Sequence, residues 1–203
     1  KKFNSYATKR SGNLSNKCRL QVLQLFEIPA GCQYGGYKMS ILVKKAQRGD
    51  AEAFIALMEE NKMTLRRVAY GYLQNQEDVA DAIQDTILDA FEHMGDLQKA
   101  EYFKTWLVRI LINNCTRIYR QKQKIVSING EYDTGVYENS DSDLEFKEMI
   151  KGLPEDSRII FQLYFGEQFT TREISKILHI KENTVKSRIH RGKEQLRIEM
   201  QIV

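Results

Sequence analysis

The chain has 203 residues, of which 42% are hydrophobic and 29% are charged, and its formal net charge is +4 at pH 7. This hydrophobic content supports one large or two small folded domains and excludes wholesale disorder. Because no uninterrupted run of about 18 apolar residues occurs, no segment is expected to insert into a membrane.

The cysteines and the charge distribution give further information about the kind of protein. Cys18, Cys32 and Cys115 are scattered, and neither they nor the three histidines show metal-ligand spacing. We therefore expect reduced thiols, a cytoplasmic protein and no cofactor. Residues 1–38 carry seven Lys or Arg against one acid, whereas residues 125–150 carry one Lys against seven acids. The near-neutral total hides a basic beginning and an acidic middle.

Residues 1–38 are irregular, and they contain Gly35-Gly36 shortly before Met39. Two glycines can be encoded by GGA-GGN, which resembles a bacterial ribosome-binding sequence. We hypothesise that Met39 is the natural start and that residues 1–38 are upstream codons read in frame. The alternative is a genuine regulatory arm whose basic charge contacts DNA.

Residues 39–124 predict three amphipathic helices in a compact bundle. Asp50 is expected to cap the first helix and Asn75 the second, which Gly95 is expected to end. The third helix is expected to begin near Phe103. Its polar face carries a basic stripe at three- to four-residue spacing: Arg109, Asn113, Arg117, Arg120 and Lys124.

The second helix of this bundle carries an acidic face. Carboxylates recur every three or four residues, which aligns them along one side of the helix; they are Asp78, Asp81, Asp85, Asp89 and Glu92, with Gln84 beside them. Like charges at this spacing repel by a few tenths of a kcal/mol per pair, so a neutralising partner would be favourable. The face is either solvated or a binding surface.

Aromatic residues stand beside the basic stripe. Tyr102, Phe103 and Trp106 precede it closely, and single-stranded DNA binding uses aromatic rings next to cations because bases can stack on them. The alternative is that these rings belong to the core. We expect Phe103 in the core and leave Trp106 open.

Residues 125–142 lose helical periodicity and read as a flexible acidic linker. A second helical domain is expected over residues 143–203. Because proline is tolerated at a helix start, a helix is expected to begin at Leu153-Pro154, to run to Phe165 and to stop at Gly166.

Residues 170–196 predict a helix-turn-helix. Thr170 and Glu173 form a capping box before a short helix with Ile174, Ile177 and Leu178. After a break at residues 179–181, the next helix is expected to bury Val185, Ile189 and Leu196. Its polar side would face outward, as in helices that enter a DNA major groove. The alternative is a helical hairpin with a solvated basic face.

The predicted fold is therefore all-α: two small helical domains, residues 39–124 and 143–203, joined by the flexible acidic linker. No nucleophile–base pair, metal cluster or phosphate loop is visible in the sequence, so we do not expect an enzyme.

These motifs, in this order, resemble bacterial RNA polymerase sigma factors of the extracytoplasmic-function (ECF) group of the sigma-70 family. The resemblance covers residues 39–197. Residues 77–87, EDVADAIQDTI, are similar to the family's acidic helix, and residues 103–110, FKTWLVRI, with Asn113 are similar to its minus-ten segment. Residues 153–155, LPE, and 184–188, TVKSR, with Arg191 are similar to its minus-thirty-five domain.

The resemblance implies a transcription initiation factor that binds promoter DNA and core RNA polymerase, at its clamp helices and flap. It implies that polymerase is bound by Asp78, Asp81, Gln84 and Asp85. It implies minus-ten contacts by Tyr102, Trp106, Arg109, Asn113, Arg117 and Arg120, with a flipped base captured by the loop 94–102. It implies minus-thirty-five contacts by Thr171, Arg172, Asn183, Thr184, Lys186, Ser187, Arg188 and Arg191. A membrane-bound anti-sigma protein is a further implied partner.

The sequence departs from the family pattern in places. Ala80 stands where Glu is usual, and Gly192 stands in an Arg-Gly-Lys that replaces the familiar Arg-Ala-Arg. Glycine is common where His179 stands, at a turn position expected to need a positive φ. The alternative function is a helix-turn-helix DNA-binding transcriptional regulator with a helical effector domain, which would need neither the acidic face nor the segment around Trp106.

Overall fold

A computed structural model describes residues 36–73, 75–129, 146 and 149–201, and it contains no β-strand within these ranges. The all-α prediction is confirmed. The helices are α1 (Gly36–Gln47), α2 (Ala51–Leu73), α3 (Gln76–Glu92), α4 (Phe103–Asn129), α5 (Glu155–Phe161), α6 (Thr171–Leu178) and α7 (Glu182–Gln201). Among the described helices, none combines the length and the apolar character that a membrane span requires.

The chain divides into two compact units, Lys1–Glu60 and Asn61–Val203. The described part of the first unit holds α1 and the beginning of α2. Gly49 takes a φ of 90° in the turn between them, a conformation that glycine adopts without steric cost. Asp50 caps α2 as predicted, because its Oδ1 accepts from the backbone N–H of Ala53 at 3.1 Å.

In the second unit, α3 begins where the sequence predicts but ends before the predicted position. The Asn75 side chain accepts from the backbone N–H groups of Glu77 and Asp78, which confirms the predicted cap. The predicted end at Gly95 is wrong: α3 ends at Glu92 with His93 as its C-cap. The chain then tightens into a 3-10 turn, Met94–Asp96, which contains Gly95. The His93 ring nitrogen lies 2.9 Å from Asp96 and helps to set this turn.

Helix α4 is the longest described helix, at 27 residues. Leu107, Leu111 and Cys115 follow one another at four-residue spacing and are fully buried. The helix packs against both α3 and α6. It runs to Asn129, so the first five residues assigned to the acidic linker are helical; residues 130–142 of the predicted linker lie outside the described residues.

Pro154 caps α5, close to the predicted start, but the predicted single helix to Phe165 is wrong. The α-helical pattern ends at Phe161, and a π-turn, Gln162–Gly166, follows. In this wider turn the Glu167 backbone N–H donates to the Gln162 carbonyl, five residues earlier, at 3.0 Å.

The helix-turn-helix has a buried apolar seam, and its three predicted core residues, Val185, Ile189 and Leu196, are all buried. Gly192 faces this interior. A Cβ built on it would lie 2.5 Å from Cε2 and 2.6 Å from Cζ of Phe161, whose side chain is 1% exposed. The departure at Gly192 is therefore explained by packing, because glycine leaves room for the Phe161 ring.

Gly192→Ala is expected to destabilise the chain by about 1 kcal/mol, because overpacking against Phe161 outweighs the gain in helix propensity. Urea unfolding followed by circular dichroism measures this. Gly95→Ala is the matched control, since nothing lies within 4 Å of its Cβ position. The double variant Gly192→Ala with Phe161→Leu should lose less than the sum of its single changes; strict additivity would contradict the packing account.

Candidate nucleic-acid and polymerase interface

Two carboxylates of the acidic face of α3 are paired with cations of α4, and a third accepts a hydrogen bond from it. Asp78 is nearly buried, with 10% of its side chain exposed, and its Oδ2 lies 2.7 Å from Nζ of Lys122. Asp85 pairs with Arg117 at the surface. Asn114 Nδ2 donates to Asp89 Oδ2 at 2.9 Å. The repulsion expected along the acidic face is thus partly relieved by the neighbouring helix α4.

Asp81, in the middle of this face, remains turned toward solvent. Partial burial raises its pKa, and the carboxylates of Asp85 and Asp78 raise it further, while Lys122 lowers it. A carboxylate held among like charges gains from an external cation, because neutralisation stabilises its ionised form. Gln84 and Asp85 are half-buried beside it, so these three residues form the accessible part of the predicted surface.

The predicted basic stripe of α4 is exposed. Arg109, Asn113, Arg117 and Arg120 all reach the surface, while the side chain of Lys124 lies outside the described set. Phe103 is fully buried, which confirms its predicted place in the core. Trp106 is half-buried, with its ring 6.0 Å from that of Phe103, so the tryptophan packs on the bundle and keeps an accessible edge.

The loop before α4 presents Tyr102, which is 43% exposed. Two 3-10 turns, Met94–Asp96 and Ala100–Tyr102, shape this loop. Cations lie over the ring: Nζ of Lys176 is 5.0 Å from its centroid and Nζ of Lys99 is 5.7 Å from it. An exposed ring among cations can stack on a base whose phosphate those cations hold.

The helix-turn-helix is fixed at both ends of α6. The Thr170 hydroxyl accepts from the Glu173 backbone N–H, and the Glu173 carboxylate accepts from Thr170, which confirms the capping box. Burial acts to raise the pKa of Glu173, but hydrogen bonds from Thr170 and Thr105 outweigh it, so the pKa is lowered. At the other end His179 takes a φ of 54° and a ψ of 39°, the left-handed conformation predicted for this turn.

Helix α7 turns most of its predicted DNA contacts outward. Asn183, Lys186, Ser187 and Arg191 are exposed, as is Arg172 on α6, while Thr171 and Thr184 are half-buried. Glu182 organises the beginning of the helix, because it accepts from Lys186 at 2.9 Å and from Thr171 at 2.9 Å. Those hydrogen bonds lower the pKa of Glu182.

Arg188 differs from the other predicted contacts on α7. Its side chain is 28% exposed, and its Nη2 lies 2.9 Å from Oδ2 of Asp156 on α5. It lines a cavity of about 700 Å³ between α4 and the helix-turn-helix. Asn113, Arg117 and Arg120 line the same cavity from α4, and His179 lines it from the turn. Predicted minus-ten and minus-thirty-five contacts thus meet in one space.

The residues that organise this site from a distance carry little signal in the sequence. Lys122 and Asn114 support the acidic face, and their only sequence signal was their place on the basic helix. Glu167 gave no signal at all, yet its side chain is 2% exposed and accepts from α2. Cys115 is a free thiol whose burial raises its pKa to about 12, so it is a packing residue rather than a reactive one. No group of three metal-binding side chains occurs within the described ranges.

Comparison with known families matches both halves of the chain. Residues 57–125 match the model for sigma-70 region 2, and residues 143–196 match the model for sigma-70 region 4. The two matches, in this order along one chain, define a transcription initiation factor. The chain belongs to the ECF sigma factors of the sigma-70 family, which are not enzymes, and it directs RNA polymerase to promoters.

Curated relatives agree with this assignment along most of their length. The chain is 27% identical over 161 residues to RNA polymerase sigma factor SigV of Bacillus subtilis strain 168, which covers 78% of this chain and 96% of the relative. It is 27% identical over 173 residues to ECF sigma factor SigW of the same strain, covering 76% of this chain and 92% of the relative.

Solved structures share the fold. The structure of CnrH in complex with the cytosolic domain of CnrY matches with a TM-score of 0.62 at 22% identity, covering 81% of this chain and 98% of that chain. The sigma factor RpoE in complex with the anti-sigma factor NepR from Bartonella quintana matches with a TM-score of 0.59 at 21% identity, covering 72% and 98%.

His179→Gly is expected to be more stable than His179→Ala by about 1 kcal/mol, because only glycine removes the Cβ that opposes the left-handed conformation. Both changes remove the imidazole, so the pair isolates the backbone effect. Thermal unfolding of the two variants measures it. Equal midpoints would show that the turn carries no conformational strain.

Proposed function

We propose that Asp81, Gln84 and Asp85 form the face of α3 that docks on core RNA polymerase, at its clamp helices, and that Asp78 supports this face from within. The environment of Asp81 is the main support for this docking surface: its side chain is exposed, and the carboxylates of Asp78 and Asp85 lie close to its charge. Asp85 can exchange its surface partner Arg117 for an external cation at little cost, since exposed ion pairs contribute only about 0–1 kcal/mol. Asp78 is less available to an external partner, because its side chain is only 10% exposed and its Oδ2 already lies 2.7 Å from Nζ of Lys122.

The double variant Asp81→Lys with Asp85→Lys is expected to abolish core polymerase binding and to leave the helical circular dichroism spectrum unchanged. Binding of purified chain to purified core enzyme, followed by fluorescence anisotropy, measures this. Glu52→Lys with Glu194→Lys is the matched control, because it changes the net charge equally at exposed carboxylates outside the face. Retained affinity in the first variant would remove the docking assignment.

We propose further that two surfaces of the second unit, one on α4 and the loop before it and one on α6 and α7, read two promoter elements. The exposed stripe Arg109, Asn113, Arg117 and Arg120 would hold the backbone of the minus-ten strand, while Tyr102 and Trp106 offer ring surface to its bases. A flipped base would be captured by the loop 94–102. The exposed polar side chains of α6 and α7 would contact the minus-thirty-five duplex, with region 4 also on the polymerase flap.

Arg191→Ala is expected to weaken binding to a minus-thirty-five duplex by about tenfold and to reduce the slope of log affinity against log salt by about one, because one phosphate contact is lost. Arg191 is exposed on α7. Arg197→Ala is the control, since six residues at about 100° each place it on a different side of the helix. An unchanged salt slope for Arg191→Ala would contradict its assignment.

We propose that the chain works in the cytoplasm, where the polymerase is, and that a membrane-bound anti-sigma protein restrains it. The two structural relatives were solved with CnrY and with an anti-sigma factor, which supports a partner of this kind. Run-off transcription with purified core enzyme tests the whole proposal. We expect a promoter-specific transcript, and we expect an added cytosolic anti-sigma domain to suppress it. If no such domain suppresses the transcript, the proposed restraint by an anti-sigma protein is wrong.

A further inference from the structure

Glu167 joins two parts of the second unit that are about a hundred residues apart in sequence. It follows the π-turn, and its side chain is 2% exposed. Its Oε2 accepts from Oγ1 of Thr64 at 2.7 Å, and its Oε1 accepts from Nε of Arg67 at 2.6 Å. Both donors lie on α2, so a region 4 carboxylate is enclosed by region 2.

Further contacts surround this carboxylate. Nζ of Lys104 donates to the Glu167 backbone carbonyl at 3.3 Å and lies 4.9 Å from the ring centroid of Phe169. Oγ1 of Thr105 donates to Oε1 of Glu173, the capping-box residue of α6, at 3.2 Å. The beginning of α4 is thus tied to the beginning of the helix-turn-helix as well.

The backbones approach closely at the same place. A Cβ built on Gly71 of α2 would lie 3.6 Å from Cγ of Gln162 in the π-turn. Gln162 is itself buried. A methyl group fits there in ordinary contact, but a longer side chain would have to displace the π-turn from α2.

This arrangement does not allow both promoter elements to be read at once. Elements at minus ten and minus thirty-five lie about 25 base pairs apart, which is roughly 85 Å of duplex at about 3.4 Å per pair. Here Asn113 and Arg120 from α4 share a single cavity of about 700 Å³ with Arg188 from α7. Lys176 of α6 also lies over the ring of Tyr102.

We propose that Glu167, with Thr64 and Arg67, is a latch that holds region 4 on region 2 in the free chain and must open before the chain reads a promoter. The inference rests on the proposed assignment of the two DNA-reading surfaces. A largely buried ion pair is well suited to this, because its attraction is mostly offset by desolvation. The pairing of Glu167 with Arg67 therefore fixes one arrangement of the two regions. When the regions separate, both charges are hydrated again, so the separation is reversible.

Small-angle X-ray scattering of the full chain tests the latch directly. The expected order is a compact wild type, an expanded Glu167→Lys, and a double variant Arg67→Glu with Glu167→Arg that is compact again because the pair is restored with opposite polarity. Glu194→Lys, an exposed change on α7, is the control and should stay compact. A Glu167→Lys chain that keeps its helical spectrum and the wild-type radius of gyration would overturn the proposal.

A second pair of variants covers the case in which Glu167→Lys fails to fold. Gly71→Ala should leave the chain compact and Gly71→Leu should expand it, since only the longer side chain reaches into Gln162. A folded Gly71→Leu chain with the wild-type radius would overturn the latch as well.

Binding to core polymerase tests whether the latch also restrains the activity of the chain. If closure limits the binding-competent fraction, an expanded variant should bind core enzyme about threefold or more tightly than wild type. Expansion without tighter binding would show that closure does not restrain the chain. Failure of the proposed function is distinguishable, because it would appear as wild-type chain that gives no promoter-specific transcript, whatever the scattering shows.

Discussion

The packing of α4 on both α3 and α6 constrains everything else in the second unit. One face of this helix is core: Leu107, Leu111 and Cys115 are fully buried, and the burial of each leucine side chain contributes about 1.5–3 kcal/mol. Because the helix repeats every 3.6 residues, burying that face fixes where its charges point. Lys122 and Arg117 then meet the carboxylates of α3. A change in the buried face of α4 would therefore also move the charges that contact α3.

This coupling divides the acidic residues into two kinds. Asp78 is nearly buried while its partner Lys122 stays 41% exposed, so removal of Lys122 would leave a nearly buried carboxylate without its cation, which is costly. Asp85 pairs with Arg117 where both side chains are more than 40% exposed, so solvent screens the interaction. Asp81 stays exposed between them. A row of carboxylates that looks uniform in the sequence thus contains one structural residue, Asp78, and two residues that an external cation can reach, Asp81 and Asp85.

Local chemistry was predictable from the sequence, and distant pairing was not. The caps at Asn75 and Thr170 and the left-handed turn at His179 follow from residues a few positions apart, and periodicity was enough to place Phe103 in the core. The end of α3 and the π-turn were missed, because both depend on hydrogen bonding that breaks the regular helix. Asp78 with Lys122, and Glu167 with Arg67, join residues far apart in the chain. Only packing brings them together, so no window of sequence contains the signal.

The π-turn before Glu167 has a consequence for how such an arrangement can arise or be lost. The turn closes over five residues rather than four, since the Glu167 N–H reaches back to the Gln162 carbonyl. One residue turns a helical backbone by about 100°, so removing a single codon from this turn would swing the Glu167 carboxylate away from Thr64. The cores on either side, around Leu111 and around Ile189, would need no new side chains. A one-codon insertion or deletion can therefore change how two domains are registered while each keeps its own interior.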